Sequence, residues 1–586
     1  MGKIKDYAQA EFLDGSEIFV AETSEGTKSI PIDLFEDFIK TEIDTKANSM
    51  TGFDVEVVSN TEEEYILRLN IGETSITTPN LKQTTIKSAS IKGGHLVITM
   101  TDGSEIDAGL VMDVPEYGVC RDINSHSPEL TRMANSVGLE AYAGVGDANV
   151  RNDFDNIYPW SEMRRCVLSS DGKVVAYEGE VGFTEDGAAG QVMVEIPKFY
   201  LKHYVDDING KEYWYISAAA VDSDYRLPQA FMAKNGSEID KIYIAAYMCS
   251  DAIDTIGKAD SRAGNVYSYP ITYNEAITGA AAIGRNWHCV DIAELTEVIQ
   301  PLFIIEFATL NSQSVMYGCC NIDVNERNPI VYICENHCWG DSTEEINEIT
   351  GNYFYSDQGG LIFVGQEISI STDEDSATGE LDKGTSAVRK ITAIDVLHED
   401  WGIKVTFDGP PIKMIKNSSF SVNYGRNGIT NSVKASSGSV VGLPGIAQMK
   451  YRGIEDLYGL DYTWVQGILH KSGSFYASLD INNIGTDITD EYVQLNIPFV
   501  QTRGYISKMG IDERYPWASV PVAGDGSSSE DFCDGAYQMV SNTIIRAMAF
   551  GGNTKDLSGL FSSNLARDVL SSSSYYFMRL SFRKYE

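Results

Sequence analysis

The chain has 586 residues, more than one hydrophobic core usually supports, so two to four domains are expected. Its 84 acidic residues against 45 basic ones give a formal charge of −39, a field that repels nucleic acid and anionic membrane surfaces. No run of about 18 apolar residues suits a membrane span, and the start MGKIKDYAQAEF lacks the apolar stretch of a signal peptide.

The nine cysteines are odd in number and irregular in spacing, which reads as free thiols of a chain made in a reducing compartment. Cys334, His337 and Cys338 form half of a zinc-type cluster without a second half, so neither metal nor other cofactor is expected.

In chain order, residues 1–46 read as a small unit: strand Glu17–Glu22, a turn at Ser24–Thr27, strand Lys28–Ile32, and a short helix capped by Asp33 with Leu34, Phe35, Phe38 and Ile39 on one face. The stretch LDGSEIFVAETSEGTKSIPIDLFEDFI resembles the N-terminal attachment module of bacteriophage tail-fibre and appendage proteins, which implies docking to other virion proteins.

Residues 47–115 alternate in short β segments at Tyr65–Leu69, Thr84–Ile91, His95–Thr101 and Glu105–Leu110, with a hairpin turn at Asp102-Gly103. So thin a β connector lacks a core of its own. A parallel bundle of chains, trimeric by resemblance to fibre shafts, or packing on the next domain would cover it.

Between 116 and 340 the expected strands are Val192–Lys202 and Tyr213–Ser217, followed by a helical stretch at Glu275–Gly279. In Asp291–Leu310 the apolar residues Ile292, Leu295, Val298, Ile299, Leu302 and Ile305 predict the main core helix, kinked or ended by Pro301. Glu294, Glu297 and Glu306 on that helix read as surface charges or helix-internal hydrogen-bond partners in preference to catalytic carboxylates. Residues 341–430 read as a small antiparallel β insertion whose acidic loop, Asp373–Asp375, lacks the spacing of a calcium site.

The pattern of 116–340 resumes over 431–586. Tyr451, Ile454, Leu457 and Tyr458 fall at helical spacing before Gly459, predicting a short amphipathic turn that feeds the strand Tyr462–Val465. RGIEDLYGLDYTWVQG, AFGGNTKDLSGLFSSNL and FMRLSFRKYE together resemble, in order, the core motifs of the C-type-lectin-like fold shared by formylglycine-generating enzymes and phage tropism determinants. Thr554 stands where that family usually carries Trp, and Ser581 where it closes with Gly.

The resemblance implies an α+β, mostly β chain: attachment module, β connector, and a large lectin-like domain split by the insertion. It also implies a receptor-contacting face formed by the C-terminal strands. Tyr515, Trp517, Tyr537, Tyr575 and Tyr576 would supply amphipathic rings there, and Asn553, Asp556, Asn564 and the serines 571–574 adaptable hydrogen-bonding groups. On the strand that closes the chain, Phe577 and Phe582 are expected inside and Tyr576 more exposed. Residues 541–586 carry six basic and three acidic side chains, so an anionic or polar ligand, or an acidic neighbouring subunit, suits this end.

An oxygenase of the formylglycine-generating type needs two thiols in the C-terminal half, and only Cys533 follows Cys338, so no enzyme of that kind is expected. Glycan cleavage by Glu455 with Asp456 or Asp461 is a lesser alternative. The expectation is therefore a non-enzymatic, trimeric virion appendage protein that binds a bacterial surface receptor, without membrane insertion. A structural head fibre or collar component is the alternative.

Overall fold

The computed structural model describes short strands between residues 22 and 100, then residues 103–110, 114–249, 259–264, 271–319, 330–333, 348–356, 362–371, 387–397, 402–415, 419–422, 427–442, 445, 447–540, 543–552, 557–571 and 576–586. The chain is mostly β, and it divides into a smaller unit of residues 1–116 with 200–202 and 217–226, and a larger unit holding the rest. Among the described residues no helix is long and apolar enough to cross a membrane.

In the smaller unit the Asp102-Gly103 signal is explained by backbone geometry. Gly103 takes φ +85°, a value that suits glycine, and its N–H donates to the Met100 carbonyl at 3.0 Å. The turn joins His95–Met100 to Glu105–Leu110, and Ile86–Lys92 completes a three-stranded antiparallel sheet in which Ile98 and Met100 are buried. A second three-stranded sheet is built from Phe53–Asn60, Tyr65–Ile71 and Thr74–Thr77; its first and last strands were not read from the sequence. Of the expected attachment module, a hairpin of Glu22–Thr23 with Gly26–Thr27 is described, and the helix expected after Asp33 lies outside the described residues.

Two sheets organise the larger unit. The first runs in the order Val174–Tyr177, Arg164–Leu168, Gln191–Pro197, Lys241–Ala245, Leu580–Phe582, Trp287–Cys289, so a strand from near residue 580 is held between strands made more than two hundred residues earlier. The second runs Val493–Gln494, Ser474–Ala477, Tyr462–Lys471, Arg546–Gly551, Gly559–Leu565, Gly535–Gln538, Thr502–Tyr505, and Tyr576–Phe577 adds in parallel to Tyr462–Lys471. One apolar core draws on both sheets and on the helix Tyr273–Ala281, with Met193, Tyr273, Trp287, Trp464, Leu469, Tyr576 and Phe582 among its members. That helix opens with a capping box in which Thr272 and Glu275 satisfy each other's backbone N–H.

The strand expected over Val192–Lys202 is broken after Pro197, and the chain resumes as Tyr200–Asp206. The insertion forms its own six-stranded sheet from segments between Ile330 and Val422, around a core that includes Phe354, Ile368, Ile370, Val405 and Phe407. The loop Asp373–Asp375 and Cys334, His337 and Cys338 lie outside the described residues. The six described cysteines, among them Cys166, Cys289 and Cys533, are buried free thiols, and burial pushes the Cys166 thiol up to about 12.

Two helical expectations are corrected. Glu294–Ile299 is a π-helical turn that leads into the α-helix Gln300–Phe307, so Pro301 neither ends nor breaks the helix: the wider turn precedes the residue that lacks an N–H. The helix stops instead at Ala308, in the left-handed region at φ +53°. The segment after Met449 is no amphipathic turn. Met449–Tyr451 and Ile454–Glu455 are antiparallel strands reversed at Arg452 and Gly453, whose φ values are +43° and +86°.

Candidate ligand-binding face

Alternation along Tyr462–Lys471 sets Tyr462 and Trp464 on one face of their strand, and the parallel register places Tyr576 opposite Tyr462. The Tyr576 ring stacks on Trp464 with centroids 4.6 Å apart and on Tyr462 at 5.3 Å. Tyr576 is therefore buried, at 3% exposure, against the expectation that it faces outward, because two aromatic neighbours stack on its ring, while Phe577 and Phe582 are buried as read. Burial raises the Tyr576 hydroxyl's pKa, and the exposed Arg567 nearby opposes that rise.

Asn564 forms the floor beside this stack. Its carbonyl oxygen accepts the Ala566 N–H at 2.9 Å, and its side chain opposes the rise that burial causes in the Tyr462 hydroxyl's pKa. Across the sheet Asn564 sits opposite Ala549 on one side and Tyr537 on the other, and Tyr537 sits opposite Arg503. The exposed Arg503 guanidinium lies 5.4 Å from the Tyr537 ring centroid, a cation-π contact that leaves its N–H groups available.

The structure thus gathers Tyr537, Asn564 and Tyr576 from the expected set. Tyr515 and Trp517 stand apart on the hairpin of Lys508–Asp512 with Tyr515–Ala523, edge to face at 6.1 Å, and Trp517 is 6% exposed. Asn553, Asp556 and Tyr575 lie outside the described residues. Tyr462, read only as the start of a strand, Arg567, read only within the basic excess of residues 541–586, and Arg503 lie on this side of the sheet and were not expected as site residues; the Arg-Gly-Tyr of 503–505 gave no signal beyond strand alternation. The basic excess of residues 541–586 is partly internal, since Arg579 donates to the carbonyls of Ala245, Glu455 and Asp456 and Arg583 pairs with Asp291, all buried.

The carboxylates read as surface charges are also internal. Glu294, Glu297 and Glu306 have no exposed surface because their helix is enclosed on every side. Glu306 receives Arg452 through two bonds of 2.8 Å and Asn152 at 2.6 Å, and Glu297 accepts the Gln229 N–H at 2.6 Å. Glu455, read as one half of a glycan-cleaving pair, accepts the N–H groups of Gly428 and Thr430 at 2.8 Å. Asp456 and Asp461 are buried beside it. A carboxylate saturated by fixed donors and sealed from solvent is a structural knot, not an acid positioned against a substrate.

His288, Asp291 and Glu294 bring three ligand-type atoms within 4.8 Å of one another, an arrangement that could hold a metal ion. Arg583 already enters it, 2.7 Å from Asp291 and 3.3 Å from Glu294, and the Ser581 hydroxyl donates to Glu294 at 2.7 Å. The guanidinium supplies the positive charge that an ion would bring, so the cage is charge-compensated from within, although Asp291 Oδ2 and Arg583 Nε make no hydrogen bond. Burial raises the Glu294 carboxyl, but His288 and then Arg583 overcome it and hold it at about 2. Burial pushes Asp291 the other way, up, despite Arg583.

At the far end of the Tyr462–Lys471 strand, His470 is fully buried, 4.0 Å from Phe499 between ring centroids, with neither ring nitrogen hydrogen-bonded. Burial, aided by Arg546 on the paired strand, lowers its pKa to about 4. A base whose folded pKa lies below its unfolded value near 6.5 adds protons on unfolding, so stability is complete above that pH and lost as pH falls toward 4. The expected loss is on the order of 2 kcal/mol at pH 4 once solvent screening is allowed for. Urea unfolding of wild type and His470→Leu at pH 7 and pH 4 checks this, the variant losing less stability over the interval.

No protein-family model matches this chain, and no curated protein is similar to it.

Proposed function

We propose that this chain is a non-enzymatic recognition protein of a bacteriophage appendage. Residues 116–340 and 431–586 would form a lectin-like head, and the face around Tyr537, Asn564 and Tyr576 would bind a bacterial surface receptor. The observation that carries this reading is the exposed Arg503 guanidinium over the half-buried Tyr537 ring, in register with Asn564 on the next strand. Groups held in place by strands bind with little ordering cost, which is what weak, repeated recognition requires. Residues 1–46 would mount the protein on the particle, and three heads acting together would turn modest single-site affinity into firm attachment. Saturation of the buried carboxylates by protein donors argues for binding over glycan cleavage.

Binding of the full chain to a panel of bacterial strains tests the reading, with mass in solution checking the trimer. Tyr537→Ala should weaken binding about tenfold or more, while Val396→Ser, an exposed position on the insertion, should leave it unchanged. A protein that binds no strain and associates only with other virion proteins is a structural head fibre or collar component instead.

A further inference from the structure

We infer that the larger unit carries a second binding surface, separate from the face around Tyr537: a stair of three tyrosine rings that takes the uncharged sugar rings of a polysaccharide. The strand Lys211–Ser217 lies between Glu116–Asp122 and Tyr200–Asp206. Alternation sets Tyr213 and Tyr215 on one side of it and Trp214 on the other, where Trp214 stacks on His203 of the adjoining strand at 4.9 Å. Tyr204, next to His203, therefore joins the tyrosine side. Its ring stacks on Tyr213 with centroids 4.9 Å apart and planes 18° from parallel, and Tyr213 stacks on Tyr215 at 6.1 Å and 9°. Gly118 seats the stair. A Cβ there would come within 2.2 Å of the Tyr215 ring, so that ring rests on bare backbone. Exposure rises from this seat outward: Tyr215 and Tyr213 are half-buried, and Tyr204 is 41% exposed.

The charged groups that alternation puts beside the stair are engaged within the protein. Lys211 pairs with Asp122 at 2.8 Å, Lys202 pairs with Asp222 at 2.7 Å, and the Asp206 carboxylate accepts the N–H groups of Ile208 and Asn209, each at 3.1 Å. An anionic ligand gains little from cations already matched to carboxylates. What the surface offers is aromatic area whose orientation the sheet has fixed, so little side-chain freedom is lost on contact. A neutral sugar matches it, with a flat side of C–H groups to lie against a tyrosine and hydroxyls that stay in water or meet phenol oxygens. A protein partner fits less well, because its affinity rests on side chains anchored in pockets, whereas this surface is a step of rings.

The test measures retention of the full chain on immobilised neutral polysaccharides, an α-glucan, a β-glucan and a galactan, for wild type, Tyr204→Ala, Tyr204→Phe and Tyr537→Ala. Expected is retention of wild type on at least one polymer, weakened about tenfold by Tyr204→Ala and less than about threefold by Tyr204→Phe, which keeps the ring. Tyr204 is exposed, so the melting temperature of both variants should stay close to that of wild type. Tyr537→Ala should match wild type on these polymers, which separates the stair from the face proposed above. Wild type unretained on all three polymers, or retention that Tyr204→Ala leaves unchanged, overturns the inference and leaves the reading of the Tyr537 face standing. Retention lost in Tyr537→Ala and kept in Tyr204→Ala also overturns it, and assigns the sugar to that face instead.

Discussion

Replacing Arg452 with Met is expected to cost about 3–5 kcal/mol of folding stability, because it leaves a buried carboxylate without its counter-charge. Arg452 is inside the larger unit, 5% exposed, and its guanidinium forks onto both oxygens of Glu306 while donating a third bond to the Trp160 carbonyl at 3.1 Å. Among the described residues, the Glu306 carboxylate would keep the Asn152 amide as its hydrogen-bond donor. The methionine stem fills most of the volume, so packing loss is small and the penalty is electrostatic. Adding Glu306→Leu to Arg452→Met should restore a good part of the loss, since a buried ion pair replaced by apolar groups is often near neutral. Urea denaturation of the two single variants and the double one measures this; a double variant as unstable as the sum of the singles would show that the pair is not coupled.

A loss of similar size, about 3–5 kcal/mol, is expected for Arg583→Met, with a distinguishing sign. Without the guanidinium, His288, Asp291 and Glu294 would face one another with the arginine's charge gone. One nitrogen and two carboxylate oxygens within 4.8 Å are a ligand set that suits zinc. Zinc should therefore raise the melting temperature of Arg583→Met by several degrees and leave wild type unchanged, and chelation should reverse the gain. Zinc stabilising both proteins equally would mean that the cage is not where it binds.

What could be read in the sequence was local. The Asp102-Gly103 hairpin, the helical stretch at Glu275–Gly279 and the burial of Ile292, Leu295, Val298 and Leu302 each follow from neighbours within a few residues. The misreadings share a different cause. Glu306 looks like a surface charge until Arg452 is brought to it from 146 positions away, and Ser581 looks like a missing glycine until its hydroxyl is found on Glu294. Helical spacing at Tyr451 to Tyr458 gave way to a hairpin because Arg452 and Gly453 take left-handed φ values that no periodicity reveals. Tyr576 was placed outside by alternation, but the two-residue strand that holds it is covered by side chains of another strand. Half of the face around Tyr537 was legible as composition. Arg567 belongs to the basic excess read at the C-terminal end, whereas Arg503 on its strand carries no mark of which end of a sheet it will reach.

The position of Leu580–Phe582 between Lys241–Ala245 and Trp287–Cys289 bears on how the protein is made. On the ribosome, both flanking strands emerge with an empty slot between them and must wait while some three hundred further residues are translated. A nascent chain of this kind exposes unpaired strand edges for the whole of that interval and depends on holding factors to keep it from aggregating. A message truncated before codon 580 would yield a chain whose larger unit cannot close, and the cell's proteases would clear it.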